Sequence, residues 1–133
     1  MSQSISRLDS GIANKAGNIL LWVVQVGAAF MFLMAGSAKL TGDPKMVGLF
    51  SMIGIGQWFR YLTGGLEVVG AILLLIPALS GFGASLLVPV MIGAVATHLF
   101  IIGGDPTMAV VLLVAVSVVA WMRRKRSLSL LGF

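Results

Sequence analysis

Four apolar stretches, each interrupted by only a few polar residues, organise the chain, with short Gly- and Pro-bearing connections between them. The first runs from Ala16 to Leu40 and is broken only by Asn18, Gln25, Ser37 and Lys39. The second opens at Arg60 and reaches about Leu79, with Pro77 near its end. The third extends from about Phe82 to Ile102 with Pro89 inside, and the fourth from about Thr107 to Met122. Segments of this length and apolarity predict membrane-crossing helices, because about 20 residues rising 1.5 Å each match a hydrocarbon layer of about 30 Å. Thr41-Gly-Asp-Pro-Lys45 halts the first helix, and the apolar stretch Met46 to Phe59 that follows is too short to cross. It predicts a short interfacial or re-entrant segment, divided by Gly48, Gly54 and Gly56 into a short helix and a turn. Ser80-Gly81 reads as a tight turn, and Asp105 as an N-cap with Pro106 at the first helical position. Gly36-Ser37-Ala38 resembles a signal cleavage site, but the run before it exceeds a signal core and three further spans follow, so it is kept as a helix. The predicted fold class is all-α: a four-transmembrane-helix antiparallel bundle, its neighbours forced antiparallel by short connections.

Composition agrees with this pattern. Of the 133 residues, 59% are hydrophobic and 10% charged, against about 25% charged in soluble domains. One domain is expected: a cytoplasmic N-terminal segment over 1–15, the transmembrane domain over 16–122, and a basic cytoplasmic tail over 123–133. The net charge of +5 matters through its placement. Arg7, Lys15 and the cluster Arg123-Arg124-Lys125-Arg126 fall on one side, and Lys39, Lys45 and Arg60 on the other. By the positive-inside rule both termini are expected in the cytoplasm, in a cell (inner) membrane. Trp22 and Trp121 then fall toward the inner interface, Trp58 and Tyr61 toward the outer one. The basic cluster reads as a membrane anchor and not as a nucleic-acid site, since nothing aromatic or polar interleaves it. With no cysteine and a single histidine, thiolate chemistry, cysteine-held clusters and bis-histidine haem are excluded within one chain. No metal site is expected either, because one His and one Glu supply too few ligands for zinc.

One acid stands inside the second apolar stretch. Glu67 lies seven residues inward of Arg60, and His98 five residues before Gly103. With Lys39 ending the first helix, three helices therefore bring polar groups to similar depth in the outer half of the membrane. Helical spacing places Arg60, Thr63, Glu67, Gly70 and Leu74 on one face, Gln25, Phe32, Gly36 and Lys39 on another, and Met91, Ala94 and His98 on a third. An ionisable group inside a span is costly, so the default reading is a site with a partner. Glu67 and His98 are the candidate proton-exchanging, catalytic residues, and Lys39, Arg60 and Thr97 the candidate ligand-binding ones. Each has a plainer reading: Glu67 as an interhelical anchor, Lys39 and Arg60 reaching for headgroups, His98 bonded to a backbone carbonyl. Gln25 is expected to make an interhelical hydrogen bond.

Three motifs stand in order: Ala35-Gly36-Ser-Ala-Lys39-Leu40, Gly64-Gly-Leu-Glu67-Val-Val-Gly70, and Ala94-Val-Ala-Thr97-His98. In these the chain resembles the DoxX-like family over roughly residues 18 to 122. The resemblance implies a four-helix membrane protein with Lys39, Glu67 and His98 as motif residues. It also implies kinship with subunits of quinone-linked oxidoreductases, including a thiosulfate:quinone oxidoreductase, and of membrane complexes with oxidative-stress enzymes. The expected function is a membrane subunit of a quinone-linked oxidoreductase system, binding a quinone or similar amphipathic molecule in the outer-half polar pocket. A non-catalytic anchor or assembly subunit is the alternative. A small proton-coupled transporter is a third, disfavoured because small multidrug transporters carry their key Glu in the first helix. The expected partners are the bilayer and a protein partner or second copy, with quinone as the cofactor class and no cofactor motif in the chain.

Overall fold

The computed structural model describes residues 2–132; Met1, Phe133 and the side chains of residues 2, 3, 6–10 and 13, Arg7 and Asp9 among them, lie outside that description. Five helices follow in order: α1 Ser2–Thr41, α2 Pro44–Ile53, α3 Trp58–Leu74, α4 Ser80–Thr97 and α5 Thr107–Ser129. A 3-10 turn, Pro77–Leu79, precedes α4, and a π-helical turn, His98–Ile102, extends it. There is no strand among the described residues. Three stretches, Asn14–Thr41, Pro77–Ile102 and Thr107–Ser129, are long and apolar enough to cross a membrane. With 17 residues, α3 is about 26 Å long, slightly less than a hydrocarbon layer.

Several boundaries differ from the periodicity reading, each for a local reason. The second span ends at Leu74 and not near Leu79. Pro77 disfavours helical backbone at the residue before it, and Ile76 is extended with φ −97 and ψ 116. Ser80-Gly81 is not a tight turn: both residues open α4 and are buried. The reversal occurs just before them, closed by the Leu75 and Ile76 N–H groups on the Ile72 and Leu73 carbonyls, each at 3.1 Å. The cap of α5 is shifted by one residue, with Pro106 at the N-cap position. The Asp105 carboxylate accepts from the Thr107 N–H at 3.0 Å and from the Thr107 hydroxyl. Those hydrogen bonds, the hydroxyl's first, hold the Asp105 carboxyl below the usual carboxylate range. At its far end α5 runs on through the basic cluster to Ser129, as the good helix propensity of Arg and Lys permits.

α2 begins at Pro44, two residues before the expected Met46, and runs through Gly48 without a break. Asp43 accepts from the Lys45 N–H at 2.9 Å, Pro44 takes the first helical position, and Gly54 ends the helix at φ 85. That left-handed conformation suits glycine.

The other four helices close a ring: α1 packs on α3, α3 on α4, α4 on α5, and α5 back on α1. The core between them contains Ala28, Ala29, Phe32, Ala71, Leu74, Ala84, Leu87, Met91, Val116 and Val119. Small residues set the spacing. A Cβ on Gly36 would lie 2.9 Å from the Gly64 carbonyl oxygen, and one on Gly83 would lie 2.9 Å from that of Gly70. Lipid-facing helices gain no hydrophobic drive toward one another, so such backbone approach supplies the packing contacts. The outer surface is apolar, with Val23, Phe30, Ile72, Ile92, Val111 and Trp121 all exposed.

Candidate ligand-binding site

The α1–α3 crossing creates the site. Gly36 and Gly64 meet at the contact, and each is followed three residues later by a charged residue, Lys39 and Glu67. Residues three apart share a helix face, so the close approach of the glycines brings the two charges together. Lys39 Nζ lies 2.8 Å from Glu67 Oε1. Glu67 is 1% exposed, and its second oxygen, Oε2, is buried with no hydrogen-bond partner. Leaving such an atom unmatched in a low-dielectric setting is costly. The pair thus combines a cation holding two further N–H donors with an acceptor that lacks a donor.

This pair borders a cavity of about 520 Å³, the size of many small-molecule sites. α2 contributes Met46, Leu49, Phe50 and Ile53, and α4 contributes Leu86, Pro89 and Val90, so most of the lining is apolar. The polar part comes from Lys39, Thr63, Glu67, Thr97 and His98. The Thr97 hydroxyl donates to the Gly93 carbonyl at 2.8 Å. His98 Nδ1 lies 2.9 Å from the Ala94 carbonyl. A carbonyl only accepts, so Nδ1 carries the proton in this contact and Nε2 remains for other partners. The helix switches to π geometry at His98, a local change frequent at functional positions.

Four of the five sequence-predicted site residues, Lys39, Glu67, Thr97 and His98, therefore line one cavity. Arg60 does not line it. Its Nε donates to Gln57 Oε1 at 2.7 Å, its Nη1 donates to the Lys39 carbonyl, and its guanidinium stacks on Tyr61 at 4.3 Å. Arg60 thereby neutralises a carbonyl left unpaired by the end of α1 and fixes the backbone that carries Lys39. Gln57 extends the link, donating to the Val47 carbonyl at 3.1 Å and to the Ser51 hydroxyl at 3.2 Å in α2. No periodicity signal marks Gln57, because it lies in the connection between helices. Among the described residues no group of three or more His, Asp or Glu could hold a metal ion.

A second polar cluster lies at the other end of the helices, about 21 Å along α1 from Lys39. Gln25, fully buried, donates to the Leu74 carbonyl at 2.8 Å and to the Ser80 hydroxyl at 3.0 Å. Its oxygen accepts from Arg123 Nε at 2.8 Å, and Arg123 also reaches Asn18 Oδ1 at 2.8 Å. The interhelical role expected for Gln25 is present. That Arg123 folds back into the packing was hidden in a run of four cations.

A match to the DoxX-like family model over residues 23–122 covers every cavity-lining residue and most of the helical core. The chain belongs to the DoxX-like family. No curated protein and no solved structure matches it significantly. Family membership and three long apolar helices make this DoxX-like chain a membrane protein. The motif glycines gain a physical meaning here. Gly36 and Gly64 are the contact that allows Lys39 and Glu67 to pair.

Proposed function

We propose that this DoxX-like chain is a multi-pass inner-membrane protein, an antiparallel bundle of four helices with both termini cytoplasmic and α2 lying as an interfacial or re-entrant cover over the cavity. In this reading it is the membrane subunit of a quinone-linked oxidoreductase system and binds a quinone or similar amphipathic molecule beside the Lys39–Glu67 pair. The observation that carries the reading is the largely apolar cavity bordered by a buried ion pair whose Glu67 Oε2 has no donor. A ring or short tail would occupy the apolar part between α2, α3 and α4. Lys39 would donate to a carbonyl on the bound head, and Glu67 Oε2 would accept from a hydroxyl. A head that alternates between carbonyl and hydroxyl forms can use both atoms in turn, with Glu67 and His98 placed to exchange the protons.

The test is binding of a short-chain quinone, decylubiquinone, to the purified full chain in detergent. Glu67→Gln is expected to weaken binding about tenfold, the loss of one hydrogen bond to a charged group of about 1.5 kcal/mol, in a chain that still folds although the unpaired Lys39 lowers its thermal midpoint. Undiminished affinity in the variant would remove the site. Failure of the wild-type chain to bind quinone, with a protein partner retained through purification, would support the anchor or assembly role instead.

A further inference from the structure

We propose that the polar cluster at the Arg123 end of the helices binds the phosphate of an anionic phospholipid. The proposal is independent of the quinone reading, since it concerns a different end of the molecule and different residues. Arg123 keeps its positive charge at any physiological pH. Yet its two side-chain acceptors, Gln25 Oε1 and Asn18 Oδ1, are neutral amide oxygens. Its third nitrogen, Nη2, is buried and meets no acceptor. Among the described residues the sole carboxylate ion pair is Lys39–Glu67, far from this end. Arg124, Lys125 and Arg126 follow directly, and Arg126 lies on the same face of α5 as Arg123, three residues on. Arg123 and Arg126 share that face with no carboxylate paired to either among the described residues, and the two repel one another unless an anion lies between.

Two features select a lipid headgroup as that anion. The guanidinium of Arg124 stacks on Trp121 at 3.6 Å and that of Arg123 lies 5.7 Å from the Trp22 ring centre. Paired aromatic and basic side chains at the end of apolar helices mark the headgroup level of a bilayer. In addition, the clamp is preorganised. Gln25 is itself fixed by the Leu74 carbonyl and the Ser80 hydroxyl, so Arg123 is held by Nε and by one Nη1 N–H, and the second N–H of the exposed Nη1 remains for a phosphate beside Arg126. A lysine-type point charge would lack that directed fork.

The full chain, purified and offered phosphatidylglycerol or phosphatidylcholine, is examined by native mass spectrometry and thermal unfolding. One phosphatidylglycerol per chain should be retained and raise the thermal midpoint, with phosphatidylcholine bound at least about tenfold more weakly, as expected for one charge-assisted contact. Arg126→Gln, at an exposed position, should narrow that preference severalfold, and Arg123→Lys should narrow it further although the net charge is unchanged. Lys125→Gln serves as the matched surface control and should leave it unaltered. Equal retention of the two lipids overturns the proposal. So does a loss of preference that is the same for Lys125→Gln as for Arg126→Gln, because that would be diffuse attraction without a site. Displacement of the lipid by millimolar inorganic phosphate would assign the clamp to a free anion and overturn the lipid assignment. Should Arg123→Lys fail to fold, the comparison of Arg126→Gln with Lys125→Gln decides alone.

Discussion

Glu67 is 1% exposed and depends on a single side chain, Lys39, for its charge balance. Removing one member of such a pair leaves the other buried without compensation, which costs about 3–5 kcal/mol in protein interiors. Lys39→Met is therefore expected to destabilise the chain by that order, read from detergent unfolding at fixed micelle concentration. The double variant Lys39→Met with Glu67→Leu should recover much of the loss, since two apolar groups of similar size leave no stranded charge. A double variant no more stable than Lys39→Met alone would show that the pair does not govern stability. Glu67 was legible in the sequence because one acid in an apolar run has few innocent explanations. Arg60 looked equivalent, being a charge at the mouth of the same helix, but its guanidinium turns to the Lys39 carbonyl and Gln57. The sequence cannot say which way a long, flexible side chain turns when carbonyls and a cavity are both within reach.

At the scale of elements, the ion pair is a consequence of helix spacing. A Cβ on Gly36 would meet Val68 Cγ2 at 2.8 Å as well as the Gly64 carbonyl, and one on Gly64 would meet Lys39 Cβ at 2.9 Å. Backbone cannot yield as a side-chain end can, so Gly36→Ala or Gly64→Ala must separate α1 from α3. Each is expected to cost about 1–3 kcal/mol, as overpacking does, and to weaken any ligand held at Lys39 and Glu67. Gly27, on the same helix, has open space where a Cβ would stand. Gly27→Ala should be neutral or stabilising by up to about 1 kcal/mol. If all three variants unfold alike, close approach is not what fixes the crossing. Helix existence was readable from apolar length, whereas helix ends were decided by local chemistry, such as Pro77 acting on Ile76 and Gly54 closing α2.

Over the whole molecule, two polar layers stand at opposite ends of one apolar core, one built on Lys39 and Glu67 and the other on Gln25 and Arg123. They share no side chain, and well-separated sites act additively. Gln25→Ala is accordingly expected to lower stability by about 1–3 kcal/mol, through the polar groups it strands at Leu74, Ser80 and Arg123, and to leave quinone affinity within twofold of the wild type. Glu67→Gln should lower affinity as well as stability, and a change in affinity on Gln25→Ala would reveal coupling through the core. What the sequence alone determined is the set of properties fixed by local pattern: the all-helical, membrane-embedded class, the four apolar runs, and a shared depth for Lys39, Glu67 and His98. Those follow from residue counts, periodicity and rise per residue, which need no knowledge of neighbours. Tertiary structure alone decided that Glu67 pairs with Lys39 and not Arg60, that α2 helps to enclose the cavity, and that Arg123 is bonded to Gln25 and Asn18 of α1. Each of these depends on which helix faces meet and how closely, and in lipid that is set by small-residue contact and buried hydrogen bonds more than by any hydrophobic pattern along the chain.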